Sequence, residues 1–125
     1  MKQRYIRLGD QLSEDETVII RGGRLDPETL RADASRYHSI YEVYGISVFA
    51  ARDATVDELA QQPPLVRFDL LVLTTVRELR QVELRVEPTG RNPHHYTIVF
   101  NDLDDGIERL RRCGHRLWPN PYHGD

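Results

Sequence analysis

The sequence lacks most of the features that assign a protein to a specialised class. Its only cysteine, Cys113, cannot form a disulfide within the chain, and such sparse cysteine usage is typical of a reducing compartment. No stretch approaches the roughly 20 apolar residues of a membrane-spanning helix, and the first residues lack the apolar core of a signal peptide. The sequence therefore predicts a cytoplasmic protein without a membrane partner.

The chain also lacks an excess of positive charge. It has 17 lysine and arginine residues against 20 aspartate and glutamate residues, which gives a formal net charge of −3. Because binding along a nucleic-acid backbone needs a basic surface, this balance excludes wholesale coating of DNA or RNA. A local basic patch remains compatible with it.

Motifs for cofactors and metals are absent from the sequence as well. No Gly-x-Gly-x-x-Gly follows a strand, and Gly22-Gly23 is not followed by the Lys-Ser/Thr of a phosphate-binding loop. The residues of metal-ligand type match no compact zinc pattern; they are His94, His95, Cys113, His115 and His123. We therefore expect neither a cofactor nor a bound metal.

The remaining composition is that of one globular domain. A chain of 125 residues, 39% of them hydrophobic and 30% charged, can build a single core. Residues 1–16 are polar and predict either a loosely held arm or an edge strand. Residues 17–125 predict a single domain, and its tail should pack on the domain or on a partner because it carries Trp118 and Tyr122.

Local patterns place the first elements of this domain. β-branched residues predict a strand over 17–21, and an apolar run predicts a second strand over 46–51. Asp26 and Pro27 form a typical helix start, because the aspartate can cap the first turn and proline fits the first helical position. Apolar residues at helical spacing then predict a helix over about 27–44, which Gly45 is predicted to stop.

Further helices are predicted in the second half of the chain. Thr55 opens a short helix with a capping box, and Asp102 caps a last helix that Gly114 ends. Residues 65–82 have apolar residues at helical spacing and are predicted to form one helix. Residues 70–75 would also suit a strand, but the whole segment is too long for one.

Residues 84–100 are predicted to form a β-hairpin with the most concentrated polar chemistry of the chain. Apolar and polar residues alternate over 84–87 and 95–100, and the proline- and glycine-containing stretch 88–94 predicts the loop between them. The predicted fold class is α+β, with a small, mainly antiparallel sheet of about four strands and helices packed on one face.

The other face of that sheet is expected to be open and to carry a catalytic site. Glu87 as base and His95 as acid, with Arg85 beside them, are the groups needed to cleave RNA through its neighbouring 2′-hydroxyl. Arg91 and Arg21 are predicted to bind phosphate. Small RNA-cleaving toxin domains use similar groups on a similar sheet, a likeness of chemistry and layout only. The sequence predicts a metal-independent, toxin-like endoribonuclease.

Two alternatives to this assignment stay open. A slip of one residue in strand register would bring His94 to the open face in place of His95. The same polar side chains would also be expected as ordinary solvated pairs across neighbouring strands. In that case the protein would be a non-catalytic module that binds a protein partner or a second copy through its N-terminal arm or its Trp118/Tyr122 tail.

Overall fold

Six antiparallel strands form one sheet in the computed structural model, which describes residues 3–124. The strands are β1 Thr17–Gly22, β2 Tyr44–Ala50, β3 Leu70–Thr75, β4 Arg85–Pro88, β5 His95–Phe100 and β6 Arg116–Pro119. Their order across the sheet is β4-β5-β2-β1-β3-β6. The predicted α+β class and antiparallel sheet are confirmed, but the sheet has six strands instead of about four. The additional strands are β3 and β6.

Four α-helices accompany the sheet: α1 Pro27–Tyr41, α2 Val56–Ala60, α3 Val76–Gln81 and α4 Leu103–Arg112. The predicted N-terminal caps of α1, α2 and α4 are present, and the Asp26 carboxylate accepts from the Thr29 backbone N–H at 2.9 Å. Helix α1 ends at Tyr41 because Glu42 adopts the left-handed conformation that caps it, with φ of 62°. Gly45, predicted to stop this helix, lies within β2 instead.

The prediction of one helix over residues 65–82 is wrong. This segment forms a 3₁₀ turn over Leu65–Arg67, then β3, then α3. Strand β3 lies between β1 and β6, so the apolar run Leu71 to Leu73 is buried on both faces of the sheet. Thr75 starts α3 by accepting from the Glu78 backbone N–H at 3.2 Å, which divides the strand from the helix.

Helices cover both faces of the sheet, not one as predicted. Helices α3 and α4 cover one face together with the side of α1 that carries Leu30 and Ala34; the core of this face also includes Val18, Ile46, Val48, Tyr96, Ile98, Leu79, Ile107 and Leu110. Tyr37 of α1 reaches the other face, beside Gly45 and Thr97. On the other side, α2 and the 3₁₀ turn pack on a second apolar cluster that includes Ile19, Leu71 and Leu73. Because β1 and β3 are apolar on both sides, each side of these strands must be shielded from water.

The N-terminal arm extends the sheet beyond β4. The Gly90 N–H donates to the Tyr5 carbonyl and the Arg7 N–H donates to the Pro88 carbonyl, both at 2.9 Å, and Ile6 pairs with Thr89. We call the side of the sheet that carries Ser47, Phe49, Glu87, His95 and Thr97 the arm face. Arm residues therefore lie where they can contact the candidate site.

The tail after α4 returns to the opposite edge of the sheet as β6. Trp118 lies opposite Leu71 and joins the second apolar cluster. The Asn120 side chain donates to the carbonyl of Ala60 at 3.3 Å and of Leu65 at 3.2 Å. Among the described residues, no α-helix has the length and apolar character that crossing a bilayer requires.

Candidate functional site

The strand register places the predicted hairpin residues Arg85, Glu87, His95 and Thr97 on the arm face. Glu87 lies opposite Thr97 on β5, and His95 lies opposite Phe49 on β2. Glu87 and His95 are therefore diagonal neighbours, for which Cα atoms are typically about 7–8 Å apart. An acid and a base that act on the attacking and leaving oxygens of one phosphate need such a separation, because those oxygens lie in line on opposite sides of phosphorus.

The arm face is less open at this place than predicted. Thr97 is fully buried, because Thr89 and Tyr37 cover it. Glu87 and His95 are half-buried, and only Arg85 is largely exposed, at 74% of its side chain. A substrate would therefore reach the outer ends of Glu87 and His95 and not the floor of the sheet.

The imidazole of His95 is held in one orientation by Thr89. Its Nδ1 atom lies 3.0 Å from the Thr89 carbonyl oxygen and 3.1 Å from the Thr89 hydroxyl. A carbonyl oxygen only accepts, so Nδ1 carries a hydrogen and Nε2 is the atom left to exchange a proton. The ring also meets the edge of Phe49, with centroids 5.7 Å apart. Within residues 3–124, Nε2 has no hydrogen-bond partner.

Glu87 is paired with an arginine of the arm. Its Oε1 atom accepts from Arg4 Nη1 at 2.9 Å, while Arg85 Nη2 is 3.9 Å away. Burial disfavours the charged form of Arg4, but the hydrogen bonds to Glu87 and Tyr37 outweigh that effect and raise the pKa of Arg4. The contact with Arg4 thereby fixes the position of the Glu87 carboxylate.

The predicted phosphate ligands do not converge on Glu87 and His95. The Arg91 guanidinium is exposed and lies over the Tyr5 ring, 5.8 Å from its centroid. Arg21 forms an ion pair with Asp33 at 3.0 Å and lies opposite Val72 in the ladder between β1 and β3. The structure thus brings Arg85, Glu87 and His95 together and leaves Arg91 and Arg21 apart from them.

Arg21 belongs to a cavity where β1 and β2 separate. These strands pair with each other only at Val18–Ala50 and Ile19–Phe49. Over the rest of their length, β1 is paired only with β3 and β2 only with β5. A cavity of about 370 Å³ lies between the separated ends. We call it the split cavity; its lining includes Arg21, Gly22, Asp33, Arg36, Tyr37, Ile40, Gly45, Ser47, Phe49 and Phe68.

Two aromatic walls of the split cavity rest on glycines. The Phe68 ring lies so close to Gly22 that a β-carbon there would overlap it. A β-carbon on Gly45 would lie 2.7 Å from Tyr37 Cδ1 and 2.8 Å from Thr97 Cγ2. The missing side chains at these positions therefore create the space that the rings occupy.

Replacing Gly22 by alanine should displace Phe68 and lower the free energy of unfolding by about 1–3 kcal/mol, the usual cost of overpacking. The backbone at Gly22 does not adopt a positive φ, so the cost comes from the contact with the ring and not from the backbone. Urea denaturation would measure it. The same substitution in a Phe68→Ala background should be close to neutral. An equal cost in both backgrounds would contradict this origin.

A second cavity, also of about 370 Å³, adjoins the site on the other side of Phe49. His94 lines it, and the Nδ1 atom of His94 is buried without a hydrogen-bond partner among the described residues. In the strand register, the residue opposite Phe49 is His95 and not His94. No group of three or more metal-ligand side chains occurs within residues 3–124.

Sequence reasoning missed the arm arginines and the aromatic walls. Arg7 donates to Asp10, to the carbonyls of Thr89 and Gly90 and, at 3.2 Å, to that of Pro93. Only the alternation of arginines with apolar residues in the arm hinted at an inward-facing role. Phe68 gives no signal of this role, because the apolar spacing of its segment predicts a helix.

Comparisons with known proteins add no assignment to this geometry. No family model matches the chain, and no curated protein or solved structure matches it significantly. The chemistry of the site residues therefore carries the functional conclusion.

Proposed function

We propose that the protein is a metal-independent endoribonuclease that acts at the arm face through Glu87 and His95. The observation that carries this proposal is the orientation of His95, whose Nδ1–H is committed to the Thr89 carbonyl while Nε2 is left unpaired. A histidine fixed in this way presents one defined nitrogen for proton transfer. Glu87 stands diagonally across the ladder from it.

The reaction is attack of a ribose 2′-hydroxyl on the adjacent phosphate. Glu87 takes the 2′-hydroxyl proton as the bond from O2′ to phosphorus forms. The bond from phosphorus to O5′ breaks, and protonated His95 gives its Nε2 proton to that leaving oxygen. The products are a 2′,3′-cyclic phosphate and a 5′-hydroxyl. Exchange with water then restores the carboxylate and the imidazolium.

Arginine side chains provide the positive charge that this reaction needs. Arg85 is exposed beside Glu87 and can approach a phosphate oxygen, where a guanidinium stabilises the charge that develops in the transition state. Arg4 is fixed to Glu87 and orients the carboxylate. Arg91, on the loop between β4 and β5, contributes to backbone binding and not to the chemical step.

Incubation of a mixed RNA pool with the purified protein in EDTA tests this proposal. We expect cleavage with 2′,3′-cyclic phosphate ends, and no cleavage of the same sequences made with 2′-O-methyl ribose. Cleavage that requires added metal, products with 5′-phosphates, or no cleavage by folded protein would each contradict the mechanism.

One observation favours a second function, assembly through the arm. Tyr5 and Ile6 are exposed on the outermost extended segment of the sheet, and Leu8, at the bend that follows, is 95% exposed. The backbone N–H and C=O of Ile6 have no partner among the described residues, so a second copy can add its own arm there in antiparallel fashion. Analytical ultracentrifugation tests this function. A dimeric parent and a monomeric Leu8→Lys variant would support it, and a monomeric parent would contradict it.

A further inference from the structure

The split cavity has the character of a site for one nucleotide. We propose that it binds a nucleotide of single-stranded RNA, with the base against Phe68 and Tyr37 and the phosphate on Arg36. This inference rests on the proposed function and gives it a substrate class: RNA with an unpaired base next to the scissile linkage. The cavity volume, about 370 Å³, falls within the range of roughly 300–1,000 Å³ seen for small-ligand sites.

The walls of the cavity suit a planar ring. Phe68 and Ile40 are exposed to 38% and 40%, although both are large and apolar. Phe68 is seated on Gly22 and Tyr37 on Gly45, so each ring is backed by main chain on one side. Bases of single-stranded nucleic acid stack on such rings, and stacking tolerates different bases because every base has a π-face.

The charge of the cavity suits one phosphate. Arg21 and Asp33 neutralise each other through their ion pair, whereas Arg36 forms no ion pair among the described residues. The lining therefore has one uncompensated guanidinium, whose planar fork fits phosphate oxygens. A purely apolar ligand would not pair with the Arg36 guanidinium, and an inorganic phosphate would not contact the aromatic walls.

The split cavity borders the proposed catalytic residues through Phe49 and Ser47. Phe49 lines the cavity and contacts the His95 ring, and β2 and β5, which carry them, are adjacent strands about 5 Å apart. Ser47, also in the lining, is aligned through Thr97 with Glu87. A nucleotide bound here would present its neighbouring phosphodiester to Glu87 and His95.

Fluorescence anisotropy with a short, labelled 2′-O-methyl RNA of mixed sequence tests the inference, because this probe binds but cannot be cleaved by 2′-hydroxyl attack. Phe68→Ala should raise Kd about tenfold, within the range measured for loss of one stacked base. Arg36→Gln should also raise Kd about tenfold, because it removes a hydrogen bond to a charged phosphate. Arg67→Gln is the matched control: Arg67 precedes Phe68, is exposed and does not line the cavity. Its Kd should equal that of the parent.

Titration with adenosine monophosphate, followed by backbone amide shifts, locates the site. We expect the amides of Gly22, Gly45 and Ser47 to shift most, and adenosine or phosphate alone to bind more weakly. Shifts confined to residues 88–95, or equal Kd values for Arg36→Gln and Arg67→Gln, would overturn the inference. So would tighter binding of a labelled acidic peptide, Glu-Phe-Glu, than of the RNA probe.

The inference and the proposed function fail in distinguishable ways. His95→Gln should lose cleavage and keep the parent Kd for the RNA probe. Binding in the cavity without cleavage by any variant would overturn the nuclease and support the nucleotide site. Cleavage that is unaffected by Phe68→Ala and Arg36→Gln would support the nuclease and overturn the nucleotide site.

Discussion

Replacing His95 by glutamine is expected to lower the rate of RNA cleavage by about 10²–10⁴-fold, the usual contribution of one general acid. Glutamine has a similar length and its amide can still donate to the Thr89 carbonyl, which now accepts from Nδ1 at 3.0 Å. It cannot supply a transferable proton to the leaving oxygen. The loss should therefore appear in the rate at saturating RNA, measured by single-turnover kinetics, with little change in Kd.

The neighbouring histidine provides a matched control for this experiment. His94→Gln changes the same residue type one position away, in a side chain that lines a different cavity. Its cleavage rate should stay within about twofold of the parent, provided that thermal unfolding shows a folded protein. Equal losses for the two variants would show that the site assignment is wrong. Thr89→Val keeps the contact between the residue 89 carbonyl and His95, so it should lower the cleavage rate much less than His95→Gln does.

Replacing Arg7 by alanine is expected to lower the free energy of unfolding by about 2–4 kcal/mol, although Arg7 lies in a polar arm. Its side chain is only 10% exposed and donates to Asp10 and to three carbonyl groups around the hairpin loop. The guanidinium also lies over the fully buried Tyr96 ring, 5.0 Å from its centroid. Its removal takes the side-chain donor from the Gly90 and Pro93 carbonyls, whereas the Thr89 carbonyl keeps its contact with His95 Nδ1.

The control for Arg7→Ala is an arginine with comparable charge contacts at the surface. Arg77 contacts Glu14 at 3.6 Å and Asp15 at 2.8 Å but is 51% exposed. Arg77→Ala should cost less than about 1 kcal/mol, as exposed ion pairs usually do. Urea denaturation of the two variants compares them directly, and equal losses would contradict the anchoring role of Arg7.

The Arg7 contact also gives stability a dependence on pH. The hydrogen bond from Arg7, together with the nearby charge of Arg52, lowers the pKa of Asp10. A carboxyl group with a lowered pKa in the folded protein stabilises it above the pKa of the unfolded chain, which is near 3.9. That contribution is lost as the pH falls through the lower, folded value. Arg7→Ala should therefore flatten the acid limb of the stability curve.

Local chemistry accounts for the parts of the fold that the sequence predicts well. The side chains of Asp26, Thr55 and Asp102 each accept a hydrogen bond from the backbone N–H three residues later. A short stretch of sequence is therefore enough to predict each helix start. The hairpin is likewise specified by alternation and by its proline and glycine loop. The prediction for residues 65–82 fails because their apolar residues also fit helical spacing. Strand β3 is buried on both faces and therefore shows no alternation of apolar and polar residues that would indicate a strand.

Of the site, the sequence predicts only the features that follow from strand alternation. Alternation places Glu87 and His95 on one face, and the ladder agrees. It does not reveal that Arg4 approaches Glu87 from 83 positions away, or that Phe68 rests on Gly22. Such contacts arise from tertiary packing, for which a single sequence carries no local signal. The ion pair of Arg21 with Asp33 and the position of Arg91 over the Tyr5 ring are tertiary contacts of the same kind.

The order of the strands has a consequence for how the chain reaches this structure. Strand β1 is the first in sequence but lies inside the sheet, between β2 and β3, while the edge strands β4 and β6 come from the second half of the chain. Most of the ladder therefore joins distant residues, and a high contact order predicts slow folding for a domain of this size. Until residues 116–119 arrive, the apolar edge of β3 stays unpaired in the nascent chain. An unpaired apolar edge of this kind is prone to aggregation.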